Sequence, residues 1–360
     1  TGRQYNSPVE RRKMPARHTT GGKETHMIRV AMLSYWHVHA WEYTGYAQKH
    51  DDTEVVAVWD EQPERGRAAA EKLGVPFYEN LGELLASGDV DAVVNDTPTN
   101  MHREVLVAAA NAGKHIFTEK VIAATKADVD AIIEAVERNG VKLIVSLPRL
   151  NAGYTAAIRD LIASGELGDV TLARVRLSHN GGIPNERSEN GWLPAHFYNK
   201  EQTEGGAMID LGCHPMYLTR LFMGMPESVQ ATYGYVFGRD VEDNAVVTLK
   251  GANGAIGVVE AGFVNPASPF TIEVHGTKGT ALFGTPEATL LVQSGGEKTW
   301  HEHELPSDRQ NAFSQWVEHI NNGTTASENI ALARDLTTLM EAANRSAAEG
   351  RAISIDELAG

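Results

Sequence analysis

Between residues 28 and 147 short apolar runs alternate with amphipathic segments, and this alternation restricts the fold more than any other feature of the chain. Runs at 28–33, 54–60, 91–96, 114–120 and 141–147 are short and largely apolar, as buried strands are. Segments between them, at 40–49, 63–73, 83–86, 102–112 and 126–139, read as helices, with Gly113 and Gly140 as stop signals. Strands joined by helical crossovers pair in parallel, whereas an antiparallel pair needs only a tight turn. The pattern therefore predicts an α/β chain whose residues 27–147 form a Rossmann-type, doubly wound parallel sheet that binds a dinucleotide.

Near Pro148 the pattern changes. One helix at about 154–163 leads into strands at 170–178, 228–237, 244–250, 255–261, 270–275, 279–283 and 289–293, and helices at 310–321 and 327–349 follow. Gly and Asn between the strands predict a large, mostly antiparallel sheet in an α+β domain over residues 148–360. His301-Glu302-His303 falls on an exposed strand of it. Residues 1–26 are polar and rich in turn formers, without the apolar core of a secretory leader. They read as a flexible extension or cloning remnant ahead of a start at Met27.

The formal net charge is -15, although residues 1–26 are basic. An acidic body excludes a nucleic-acid partner, which needs a basic face for phosphate. No apolar run is long enough to cross a membrane. The single cysteine, Cys213, excludes an internal disulfide and suits a reducing, cytoplasmic setting.

In an open parallel sheet, ligands sit at the carboxyl ends of the strands. The first such end carries Ser34-Tyr35-Trp36-His37-Val38-His39, with Ser34, Trp36 and His39 where a dinucleotide loop has its three glycines. Either the loop takes another path and still offers helix N–H groups to phosphate, or cofactor binding is weakened. Asp60, closing the second strand, suits a ribose 2′-hydroxyl and so favours NAD, while Arg65 and Arg67 keep NADP open. Thr97 and Pro98 would line the nicotinamide side. His37 and His39 could share a metal, but zinc needs three or four ligands and the spacing shows no third, so no metal is expected.

The segment from Glu204 to Gly224 reads as a largely buried helix, with Gly205 and Gly206 where a ligand could approach free N–H groups. Asp210 and His214, four apart, would share a face. Proton transfer and an internal hydrogen bond satisfying a core histidine fit that spacing equally well. The preceding loop mixes aromatic with polar groups, as sugar sites do. Trp192, His196 and Tyr198, with Arg149, Asn151, Tyr154, His179 and Asn180 at the mouth of the sheet, are candidate substrate contacts.

Lys114-His-Ile-Phe-Thr-Glu-Lys120 resembles the G-K-H-V-x-x-E-K-P segment of the Gfo/Idh/MocA oxidoreductases, and Glu204–His214 resembles their G-G-x-x-x-D-x-G-x-H helix. Val121 stands where that family has proline. The resemblance runs from about Met27 onward. It implies a two-domain enzyme that oxidises a sugar or polyol hydroxyl, or reduces the ketone, with NAD or NADP. It also implies that Lys120, Asp210 and His214 are catalytic, with Glu119 and Lys120 beside the cofactor. The second domain would bind substrate and pair subunits into a homo-dimer or homo-tetramer. Two other readings remain: a non-catalytic sensor of nucleotide or sugar, and an enzyme that recycles bound NAD during hydrolysis or epimerisation.

Overall fold

The computed structural model describes residues 27–284 and 287–358, so the N-terminal extension read from the sequence lies outside it. The first sheet holds β1 (Ile28–Leu33), β2 (Thr53–Trp59), β3 (Phe77–Tyr78), β4 (Ala92–Asn95), β5 (His115–Thr118) and β6 (Leu143–Val145). They lie in the order β3-β2-β1-β4-β5-β6, every pair parallel. The helices between them are α1 (Ala40–Lys49), α2 (Pro63–Leu73), α3 (Leu81–Ala86), α4 (His102–Asn111) and α5 (Lys126–Asn139). β4 is buried throughout, which explains its continuous apolar run. Local chemistry sets the helix ends: Thr125 accepts from the Asp128 N–H at the start of α5, and Gly140 ends it at φ 64°.

After α6 (Gly153–Ala163) the chain enters β7 (Val170–Ser178), then a long loop containing the single-turn α7 (Lys200–Thr203). Next come α8 (Ala207–Asp210), α9 (Cys213–Met223), β8 (Ser228–Gly234), β9 (Asn244–Lys250), β10 (Ile256–Gly262), β11 (Thr271–Gly276), β12 (Gly279–Phe283), β13 (Leu290–Ser294) and β14 (His301–His303). Helices α10 (Ala312–Asn322) and α11 (Ser327–Glu349) and the short β15 (Ile353–Ser354) complete it. The nine strands run β14-β13-β12-β11-β7-β10-β9-β8-β15, antiparallel except where β7 pairs with β10. The two-residue strands β3 and β15 carry too little pattern to be read from sequence.

The expected continuous helix from 207 to 224 is broken. It stops at Asp210 and restarts at Cys213, so Asp210 and His214 do not lie on one uninterrupted helix face. Gly212 permits the break, since a Cβ there would lie 2.7 Å from the Met208 carbonyl oxygen. Of the two glycine donors at its start, Gly206 is already taken: the Glu242 carboxylate accepts from the Gly206 N–H (2.9 Å) and from the Met208 N–H (2.8 Å).

The division at 147/148 is not clean. Phe313 and Trp316 of α10 pack against Phe117 of β5, so this late helix completes the core of the first sheet. Asn329 of α11 accepts from the Val145 N–H and donates to the Val145 carbonyl, both at 2.9 Å, which satisfies the outer edge of β6.

Gly206 is the tightest joint between α8 and the second sheet, because a Cβ there would lie 2.1 Å from the Glu242 carbonyl oxygen. Gly206→Ala should therefore destabilise the fold by about 2 kcal/mol or more, measured by urea unfolding.

Candidate active site

Strands β1, β4 and β5 end side by side and deliver Ser34–His39, Asn95–Pro98 and Glu119–Lys120 to one rim. The rim is cross-braced. Asn95 Nδ2 donates to Thr118 Oγ1 (3.1 Å), Thr97 Oγ1 donates to Asn95 Oδ1 (2.9 Å), and the His37 N–H donates to the Asp96 carbonyl (3.2 Å). The His102 ring reaches the Thr97 and Val121 carbonyls, each at 3.0 Å, and so ties Thr97–Pro98 to the segment after Lys120. The Lys120–Val121 peptide is cis.

Lys120 is buried and crosses to the second domain. Its Nζ donates to the Asp210 carboxylate at 3.0 Å and to the Asp210 carbonyl at 2.5 Å. Glu119 Oε1 is farther, at 3.9 Å, so the partner of Lys120 is Asp210 and not its neighbour in sequence. Burial pulls the Lys120 pKa down, but Asp210, Cys213 and Glu119 together outweigh it, and the ammonium is held above its ordinary range. Asp210 therefore orients Lys120, and no hydrogen bond joins it to the His214 ring. His214 lies 3.4 Å from the Tyr217 hydroxyl through Nδ1, and that hydroxyl accepts from the Arg149 N–H at 3.0 Å. Burial, then the positive charges of Lys120 and Arg149, push its pKa well below the ordinary histidine value.

The first loop packs onto residues 196–202 of the second domain. Trp36 stacks on Phe197 with planes 3° apart and centroids 5.4 Å apart, its Nε1 donates to Gln202 Oε1 (3.2 Å), and its carbonyl is 3.0 Å from His196 Nε2. Gln202 had no sequence signal, being polar and on a single helical turn.

Two family models match the chain. One, the oxidoreductase family with an NAD-binding Rossmann fold, covers residues 36–147, and the other, the GFO/IDH/MocA C-terminal domain, covers 155–282. The chain belongs to the Gfo/Idh/MocA oxidoreductases. It is 29% identical over 314 residues to a 1,5-anhydro-D-fructose reductase of Ensifer adhaerens, covering 82% of this chain and 91% of that one. It is 25% identical over 319 residues to a D-glucoside 3-dehydrogenase of Escherichia coli, covering 81% and 88%. In fold it is similar to a levoglucosan dehydrogenase solved with NADH and levoglucosan, with a TM-score of 0.76, 20% identity and coverage of 91% and 99%. It is thus an NAD(P)-dependent oxidoreductase.

The rim of this Gfo/Idh/MocA member fits the dinucleotide at several points. Ser34 takes φ 72°, the left-handed conformation that a glycine would supply, and its Oγ accepts from the Trp36 N–H at 3.0 Å. No side chain caps the start of α1, which leaves its first turn able to meet phosphate. The Asp96 carboxyl group is buried with neither oxygen partnered, near enough to Glu119 to feel its charge. Asp60 differs from expectation. Its two oxygens accept from Arg65 (2.7 and 2.9 Å) and from the Tyr35 and Gln62 N–H groups (2.9 and 2.7 Å), so a ribose hydroxyl would have to displace one of these.

The expected substrate residues divide. His179 stacks on Phe263 (5.2 Å) and meets the tilted ring of Trp192 (4.7 Å), and Trp192 Nε1 donates to Asn180 Oδ1 at 3.4 Å, which makes one aromatic shelf. His196 faces the cleft through Trp36. Tyr154, Arg149 and Tyr198 make packing contacts. Tyr154 lies on Phe283 at 4.3 Å and accepts from Arg149, whose guanidinium covers Phe270 at 4.1 Å. Tyr198 donates to the Asn190 carbonyl at 2.7 Å beneath Arg239. Asn151 is buried, its Oδ1 without a partner.

A histidine held neutral in the fold but free to protonate when unfolded makes the unfolded state the stronger proton binder below its ordinary pKa. The stability contributed by His214 is therefore complete above about pH 6.5 and lost as pH falls below it, at up to about 1.4 kcal/mol per pH unit. The urea midpoint should fall less steeply between about pH 7 and 5 in His214→Gln than in the unmodified chain.

Proposed function

We propose that the chain oxidises a hydroxyl group of a sugar, glycoside or polyol, or reduces the matching ketone, at the cleft bounded by Lys120, Asp210 and His214. The observation that carries this reading is the buried Lys120–Asp210 contact at 3.0 Å, which sets an ammonium from one domain beside the helix pair bearing His214 in the other. The names of the relatives support the substrate class, since they include reductases and dehydrogenases of anhydrosugars, glucosides and inositols. Bound nicotinamide supplies the hydride acceptor or donor.

The chain's own groups manage the oxygen and its proton. Of the three Nζ donors of Lys120, two serve Asp210, and the third is free for a substrate oxygen. An ammonium held above its ordinary pKa stabilises developing alkoxide charge and is a poor base, which favours polarisation over proton abstraction as its role. His214 stays neutral. With its proton on Nδ1 facing Tyr217, its Nε2 can accept the alcohol proton. The shelf of His179, Asn180 and Trp192 would receive the sugar ring, with His196 at the mouth.

NAD is the preferred cofactor in this reading. Asp60 and Glu61 together hold Arg65, and Glu79 holds Arg67, so neither arginine is an unpaired cation for a 2′-phosphate. The catalytic efficiency with NAD should exceed that with NADP by roughly tenfold or more. The outer face of the second sheet, where Val246 and Ile256 are exposed, would pair subunits into a dimer or tetramer in the cytoplasm.

A panel of sugars and glycosides followed by nicotinamide absorbance tests the function. Lys120→Ala and His214→Ala should retain the native fold by circular dichroism and lose at least about 100-fold in kcat. Near-normal turnover in either would overturn the assignment. Trp36, bulky at a glycine position, is the feature that favours the sensor reading, in which cofactor binds without any net absorbance change. Product formed without net change would instead mean recycled NAD.

A further inference from the structure

The side chains of His37, His39 and Glu119 converge in a way the oxidoreductase reading does not use. Their nearest ligand atoms all lie within 4.8 Å of one another, although Glu119 is 80 residues from His39. His39 Nδ1 is 3.3 Å and His37 Nε2 is 3.8 Å from the same carboxylate oxygen, Glu119 Oε1. The Asp210 carboxylate stands 4.0 Å from His37 Nε2. The two contacts of His37 are too long for hydrogen bonds. They approach the spacing of donor atoms that share one divalent ion at about 2.0–2.2 Å from each.

We propose that His37, His39 and Glu119 form a binding site for a single divalent transition-metal ion of the zinc class, with at least one coordination position open toward the interdomain cleft. Two imidazoles and one carboxylate are a ligand set suited to such ions, and three protein ligands leave room for a water or a substrate oxygen. The carboxylate is already aimed. The Tyr43 hydroxyl donates to Glu119 Oε2 and bridges to Ser146 Oγ at 2.8 Å, which fixes the group from behind and leaves Oε1 facing the histidines. The charges also suit a cation: Glu119 and Asp210 bring two negative charges to the neighbourhood, and Lys120 returns one.

Coordination through His37 Nε2 places that ring's proton on Nδ1. The weak 3.3 Å contact there, accepted from the His39 N–H, is then given up. The ion would fasten the glycine-poor first loop to the end of β5, which also explains a histidine pair in a turn that otherwise calls for small residues.

Cobalt(II) titration of the full chain, freed of metal by chelator, tests the site independently of turnover. One equivalent should bind and give d–d absorption bands with intensity characteristic of four or five ligands, and zinc should displace it. His39→Ala, and separately Glu119→Gln, should weaken binding at least about 100-fold. His301→Ala should leave it unchanged, since that exposed ring belongs to the other H-x-H pair and meets Glu297. Absence of stoichiometric binding, binding lost only in His301→Ala, or binding unchanged in His39→Ala would each overturn the proposal. If Glu119→Gln fails to fold, the His39 and His301 variants still decide between the two pairs.

Discussion

A buried ammonium reaching across two domains is the contact on which the site depends. Lys120 is enclosed, and an uncompensated charge in that position would be strongly destabilising. Asp210 compensates it with both its carboxylate and its carbonyl. The arrangement exists only when the ends of β4 and β5 and the break between α8 and α9 are held together. Much of the nearby architecture serves that requirement. Glu242 secures the start of α8, Gly212 lets the helix restart, and His102 holds the segment after Lys120 from behind.

The parallel sheet was legible because each of its longer strands is a short apolar run bounded by helical periodicity. The motif residues Lys120, Asp210 and His214 were legible for a different reason, their resemblance to a family pattern. The pairing among them was not. Four-residue spacing suggested that Asp210 serves His214, whereas the helix breaks between them and the carboxylate turns to Lys120. A break of this kind depends on the close local approach of Gly212 to the Met208 backbone, which hydrophobic periodicity does not encode.

Polar side chains were the least readable. Asp60 ends β2 as expected, yet its oxygens are consumed by Arg65 and two backbone N–H groups. Arg149, Tyr154 and Tyr198 have the chemistry of sugar contacts but direct it inward, each satisfying a neighbour. Glu119 shows the converse. No spacing rule links it to the His37–His39 pair, and only the adjacency of β1 and β5 to β4 brings the three together. Burial and partner availability decide such matters, and both belong to the folded chain.

The return of α10 to the first sheet makes the joint between the lobes more than a single tether. The backbone leaves the first lobe after β6, comes back at Phe313 and Trp316, and stays in contact with it at the start of α11, where Asn329 grips β6. Repeated crossings of this kind tie the frame that carries Lys120 to the frame that carries Asp210 at more than one place, so their register does not hang on a single linker.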